Sequence, residues 1–267
     1  ERRLADRRIG VLGLAITAAV ALYRYYEEDI YRQEAERFVE ELLSRQHQEP
    51  GMITGYFFNL KEEGTREGGL VMMGLADFVR HFPDHEKTDD VTQAMNTFAR
   101  EYYQVVAGTS AFRIIPWLLS EDSLAGGKKI GPYGYKHFLH VGVNQHLARN
   151  GAGLVAAASV LEEPDYAALG QRQLDWIYGA TPYNARTVNE SRHNQPDQFK
   201  TTAGEYRPHT PELTGGVMTG IGSNHPEGDA IALYPGWWWT TEYWSPTNCY
   251  TIILVNALDE YYRNAGD

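Results

Sequence analysis

Asn150-Gly-Ala-Gly-Leu-Val-Ala-Ala-Ala-Ser-Val-Leu-Glu-Glu-Pro-Asp-Tyr-Ala-Ala-Leu-Gly-Gln-Arg-Gln-Leu-Asp-Trp-Ile-Tyr-Gly-Ala-Thr-Pro182 holds two helical patterns and one tight break. The first half ends a helix expected over 141–162, and the second half carries one expected over 166–179. Glu163-Pro164-Asp165 separates them, and Asp165 is placed to cap the second helix. Two helices with so short a connection pack antiparallel as a hairpin.

The same unit recurs upstream. Ile9, Leu12, Leu14, Ile16, Val20 and Leu22 predict a helix over 5–25, wide enough in its apolar face for burial. Ala35, Phe38, Val39, Leu42 and Leu43 predict its partner over 30–46. A further hairpin is expected from 66–82 and 87–107, broken at Pro83-Asp84. Ser245-Pro246 opens a last helix over 245–264, since proline is tolerated in the first turn. These seven helices, with no alternating strand pattern and no glycine-rich phosphate loop, predict an all-α domain over 1–267. Stacked hairpins with long loops at one end suggest part of an (α/α)6 toroid or barrel.

The irregular segments carry the chemistry. About sixty residues between Gly179 and Trp239 lack sustained periodicity, far beyond an ordinary connection, and loops of that length are usually functional or disordered. Next comes Gly236-Trp-Trp-Trp-Thr-Thr-Glu-Tyr-Trp-Ser-Pro-Thr-Asn248. Trp237, Trp238, Trp239, Tyr243 and Trp244 surround Glu242. Aromatic faces suit the C–H face of a sugar ring, and a carboxyl group supplies acid or base at a glycosidic oxygen. The bland alternative is a hydrophobic plug, with Glu242 merely beside the last helix.

Bulk properties narrow the partners. The chain has 267 residues, a net charge of −11 and a 43% hydrophobic fraction, ample for a core. Such an acidic chain is a poor match for nucleic acid or an anionic membrane surface, which want clustered Lys and Arg. The apolar run from Ile9 to Tyr23 is read as too short for a bilayer span, and it leads into no small-residue cleavage site of a signal peptide. The single cysteine, Cys249, allows no disulfide within the chain and is read as a small buried residue. His137, His140 and His146 lie close in sequence, but no nearby carboxylate completes a metal set. No metal and no cofactor are expected.

Several motifs, in order, resemble family 9 glycoside hydrolases. Gly170-Gln-Arg-Gln-Leu-Asp-Trp-Ile-Tyr-Gly-Ala-Thr-Pro182 resembles that family's A-x-x-Q-x-D-Y-I-L-G-x-N-P stretch. Asn150-Gly-Ala-Gly-Leu-Val-Ala-Ala-Ala158 is similar to the helix entry before it. Leu213-Thr-Gly-Gly216, then Glu242 with Asn248 six residues on, resembles the family's G-G run and its E-V-A-I-D-Y-N-A motif. The match covers roughly 140–262.

The resemblance implies an (α/α)6 barrel and inverting hydrolysis of a β-linked oligosaccharide or polysaccharide, in the manner of a cellulase. It gives Glu242 the general acid's role and Asn248 a place at the substrate. It implies substrate contacts from Arg192 and His193, or Arg207 and His209, which stand where the family has a P-H-H-R motif. The family's D-A-G-D base motif has no counterpart here; Asp84, Asp89 and Asp90 lack its context. A six-hairpin barrel needs about twelve helices, so the base is expected from a missing N-terminal segment or a partner chain. A polymer substrate points to a secreted or periplasmic protein.

Two other classes stay open. Asn144, His146 and Arg149 could neutralise a uronate carboxylate in a polysaccharide lyase that uses tyrosine or histidine as acid or base. A helical scaffold could also bind glycan without cleaving it.

Overall fold

The computed structural model describes residues 8–57, 67–120, 128–138, 141–190, 194–196, 214–224, 231–234, 236 and 238–265. Helices dominate: α1 Ile9–Tyr26, α2 Asp29–Leu43, α3 Gly68–His81, α4 Thr88–Thr97, α5 Gln104–Ala107, α6 Asn144–Leu161, α7 Pro164–Ile177, α8 Trp238–Thr241 and α9 Ser245–Asn264. A π-helical stretch, Phe98–Tyr103, joins α4 to α5, so the expected helix over 87–107 is one rod with a widened middle. All three expected hairpins are present.

Local chemistry explains the boundaries. α2 buries Ala35, Phe38, Val39 and Leu42 at helical spacing, while Glu34 pairs with Arg37 along the helix and Glu41 with Arg45 just past its end. Glu27 and Glu162 end α1 and α6 in the left-handed conformation, at φ 57° and 56°, and turn the chain straight into the next helix. The start of α7 differs from the sequence expectation. Pro164 takes the first helical position and Glu163 the N-cap, with no side-chain cap bond. Asp165 lies within the first turn, where its charge opposes the helix dipole's positive end.

Four helices, α1, α3, α6 and α9, run side by side in that order. They are parallel, because contacts advance along both partners together: Gly10 and Thr17 of α1 bond Glu67 and Asp77, and Gly69 and Arg80 of α3 bond Asn150 and Ser159 of α6. The Gly10 amide donates to Glu67, the residue before α3, and the Gly69 amide of α3 donates to Asn150 of α6. Arg149 of α6 lies over the ring of Tyr250 of α9. Bare backbone sets the spacing. A Cβ on Gly13 would stand 2.3 Å from the Leu70 carbonyl oxygen, and one on Gly69 would stand 2.2 Å from that of Arg149. Only glycine permits such approach.

The second layer, α2, the α4 rod and α7, runs antiparallel behind the first. Between the layers lies the main core, with Phe57, Phe78, Phe98, Tyr102 and Tyr103 fully buried. Two small antiparallel sheets correct the expectation of no strands. β1 Leu118–Ser120, β2 Lys128–Ile130 and β3 Tyr133–Lys136 pair in the order β1-β3-β2, and β4 Gly222–Ser223 pairs with β5 Ile231–Ala232. α1 corrects a second expectation, since its 18 residues are long and apolar enough, by length and composition, to cross a membrane.

Candidate active site at the N-terminal end of the parallel layer

The first turns of α1, α3, α6 and α9 converge at one end of the molecule. Four aligned helix dipoles place partial positive charge there. Glu67 answers part of it, accepting from the Gly10 amide at 3.1 Å and facing Arg8 at 3.6 Å. Above these turns, three extended segments are stitched together. Val188 bridges Val217, and Met218 bridges Tyr243. The Thr219 amide donates to the Glu242 carbonyl at 2.8 Å, and the Asn144 amide donates to the Thr219 carbonyl at 3.0 Å. Gly142 donates to the Trp239 carbonyl at 2.7 Å. The aromatic segment is thereby tied directly to the start of α6.

Glu242 follows α8 and precedes α9, and it is half-buried. The Trp244 indole donates to its carboxyl group at 2.6 Å, a short bond that fixes the direction of that group. Trp238 and Trp239 meet edge to face at 5.5 Å, and Trp238 is 39% exposed. Tyr243 and Trp244 are half-buried. The structure pairs Glu242 with Trp244, and Trp238 with Trp239. Trp237, Arg192, His193, Arg207 and His209 lie outside the described residues.

Asn248 is turned onto backbone. Its Oδ1 accepts from the Val217 amide at 2.8 Å, and its Nδ2 donates to the carbonyls of Val217 and Trp244, both at 3.0 Å. This amide holds the 217 strand against the start of α9. Cys249, next to it, is exposed, which corrects its reading as a buried residue: the turn that aims Asn248 inward aims Cys249 outward.

The Asn144, His146 and Arg149 set is separated by burial. The Asn144 amide donates to Thr187 Oγ1 at 2.7 Å and to the Met218 carbonyl at 3.0 Å. His146 Nε2 lies 2.9 Å from the Pro116 carbonyl, so that nitrogen carries the proton. Arg149 is 8% exposed, with its guanidinium 5.6 Å from the Tyr250 ring centre. Burial lowers the Arg149 pKa, while Tyr250 and Glu67 pull it back up. All three side chains are buried. His137 is also buried, with Nε2 3.2 Å from Thr109 Oγ1, and His140 lies outside the described residues. Among the described residues no group of His, Cys, Asp and Glu gathers as metal ligands.

Two hubs escaped the sequence reading. Asn150 Oδ1 accepts from the Gly69 amide at 2.9 Å and from the Tyr103 hydroxyl at 2.6 Å, joining α3, the π-helical stretch and α6. Gln173, inside the motif around α7, accepts from the Ile115 amide at 3.0 Å and donates to the Arg113 carbonyl at 3.0 Å. It pins the segment that leads to the three-stranded sheet.

Solved structures share this architecture. Bacteroides ovatus GH9 matches with a TM-score of 0.56 at 16% identity, over 92% of this chain and 39% of that one. The catalytic domain of Clostridium thermocellum CelT matches with a TM-score of 0.54 at 15% identity, over 91% of this chain and 47% of that one. The chain thus spans less than half the length of either. At these identities the likeness shows the fold: an all-α arrangement of helical hairpins, part of an (α/α)6 toroid. No protein-family model matches the sequence, and no curated protein does either.

Proposed function

We propose that the chain is the acid-bearing part of a carbohydrate-active enzyme of the family 9 glycoside hydrolase type. It acts on a β-linked oligosaccharide or polysaccharide, with inversion. The observation that carries this reading is the Glu242 carboxylate, bonded to the Trp244 indole amid exposed and half-buried aromatics, where four helix N-termini converge. Glu242 is the general acid at the glycosidic oxygen. Trp238, Trp239, Tyr243 and Trp244 form the sugar platform, joined by Trp237, Arg192, His193, Arg207 and His209 from the long loop. Asn248 acts at one remove, by holding the 217 strand against the helix that follows Glu242.

An inverting site needs a second carboxylate about 6.5–9.5 Å away, leaving room for water. That second carboxylate has no assigned residue in this reading. The polymer substrate makes the protein secreted or periplasmic.

Product analysis on β-glucan and on uronate polysaccharide tests the reading. Hydrolysis yields new reducing ends without ultraviolet absorbance. An unsaturated, absorbing product would mean a lyase, and binding without any product would mean a glycan-binding scaffold.

A further inference from the structure

Glu242 and Trp244 project to the same side of the chain. They stand two residues apart in an extended stretch: Met218 bridges Tyr243 between them, and Trp244 has φ −100° and ψ 134°. Side chains at that spacing share a face. Backbone bonds pin both members of the pair. The Thr219 amide holds the Glu242 carbonyl at 2.8 Å. Asn248 holds the Trp244 carbonyl, through its own amide at 3.1 Å and through Nδ2 at 3.0 Å. The indole edge is thereby aimed at the carboxyl group, and Nε1 lies 2.6 Å from Oε2. The motif this segment resembles has alanine two places after its glutamate, where this chain has Trp244.

An indole N–H donates and never accepts, so Oε2 is the acceptor in this bond. The carbonyl oxygen of a protonated carboxyl group is its better acceptor. The bond therefore favours Oε2 as the carbonyl oxygen and Oε1 as the hydroxyl. It also changes during the reaction. Once the proton leaves, Glu242 is a carboxylate, and a hydrogen bond to an ionised acceptor is roughly twice as strong as a neutral one. An interaction that strengthens on the way to the transition state lowers the barrier.

We propose that Trp244 is the positioning residue for proton transfer from Glu242. Its indole holds Oε2, so that Oε1 delivers the proton, and it stabilises the carboxylate that forms. The Oε1 proton moves to the glycosidic oxygen, the C1–O electron pair leaves with that oxygen, and Glu242 is left ionised. Water adds at C1 and gives its proton to the second carboxylate of the reading above. The inference rests on that reading, with Glu242 as the acid. It gives the edge of Trp244 a task separate from any sugar stacked on its face.

The test compares leaving groups. Trp244→Phe keeps an aromatic ring and loses the N–H. A departing sugar hydroxyl needs the proton, whereas 2,4-dinitrophenolate leaves without one. On a β-linked gluco-oligosaccharide the variant should lower kcat by about 10- to 100-fold, with KM within about threefold of wild type. On 2,4-dinitrophenyl β-cellobioside kcat should stay within about threefold. Equal losses on the two substrates, or no loss on either, overturn the proposal. A second readout needs no turnover: the indole N–H resonance of Trp244 should move upfield in Glu242→Leu, which removes the acceptor. A resonance that stays in place also overturns the proposal. Oligosaccharide turnover that survives Glu242→Gln sinks the glycan reading and this inference with it, as does a wild-type chain that cleaves neither substrate. Turnover that Glu242→Gln abolishes and Trp244→Phe spares sinks this inference alone.

Discussion

The side-chain amide of Asn248 takes both backbone groups of Val217, accepting from its N–H at 2.8 Å and donating to its carbonyl at 3.0 Å. That pair joins the start of α9 to the strand that also carries Thr219, whose amide holds the Glu242 carbonyl. Leucine at 248 leaves both Val217 groups without this partner, and each buried group left so costs about 1–3 kcal/mol. Asn248→Leu should therefore destabilise the protein by about 2–3 kcal/mol in urea unfolding. Asn248→Asp should not restore the loss, since its second oxygen would face the Val217 and Trp244 carbonyls. A residue that only touched glycan would leave the unfolding midpoint unchanged.

Gly69 makes a second prediction, against helix propensity. Alanine normally improves a helix interior by up to about 1 kcal/mol over glycine. At Gly69 the added Cβ would stand 2.2 Å from the Arg149 carbonyl oxygen, inside the α3–α6 contact. Backbone on both sides leaves nothing flexible to give way. Gly69→Ala should cost about 3 kcal/mol or more, read as a lower urea midpoint. Gly51→Ala is the control, because its Cβ would meet only the Ile53 carbonyl at 3.6 Å.

Tyr103 links stability to alkaline pH. Its hydroxyl is buried and donates to Asn150, and burial holds its pKa well above the usual phenol value. The unfolded chain would release this proton near pH 10, while the folded protein keeps it. The unfolded state then binds fewer protons, so stability falls as pH rises above about 10, by about 1.4 kcal/mol per pH unit. Below that range the contribution is fully present. Tyr103→Phe should be less stable at neutral pH, by about 1–2 kcal/mol for the hydrogen bond to Asn150. Its deficit should shrink above pH 10, and a constant deficit from pH 7 to 11 would contradict this role.

The helical frame was legible because apolar spacing and punctuation agree in it. Ser245-Pro246 placed the last helix at 245–264, and Glu163-Pro164-Asp165 placed the hairpin turn. The two sheets were not legible. β3 is four residues long and buried on both faces, so it shows no alternation. The helical glycines did carry a signal. Gly13, Gly74 and Gly153 sit in helix interiors, where propensity disfavours them, and with Gly69 in the first turn of α3 each marks a backbone contact between parallel helices.

Of the site, the Glu242–Trp244 pair could be read because the two are neighbours in sequence. The Asn150–Tyr103–Gly69 hub could not, since its members are 47 and 81 residues apart and no local pattern joins them. Asn144, His146 and Arg149 illustrate the opposite hazard. Their residue types suit uronate chemistry, yet all three are buried, and Asn144 and His146 bond to backbone carbonyls.

The central claim concerns one oxygen of one carboxyl group, and Glu242→Gln tests it most directly. Glutamine keeps the size, and its amide oxygen can still accept from the Trp244 indole, but it cannot deliver a proton. The measurement is glycan binding by calorimetry beside release of reducing ends. The account predicts affinity within about threefold of wild type and turnover reduced by about a thousandfold or more, at the upper end of what a general acid contributes. Turnover that survives the substitution would remove Glu242 from the chemistry, and with it the claim that this aromatic wall surrounds the catalytic acid.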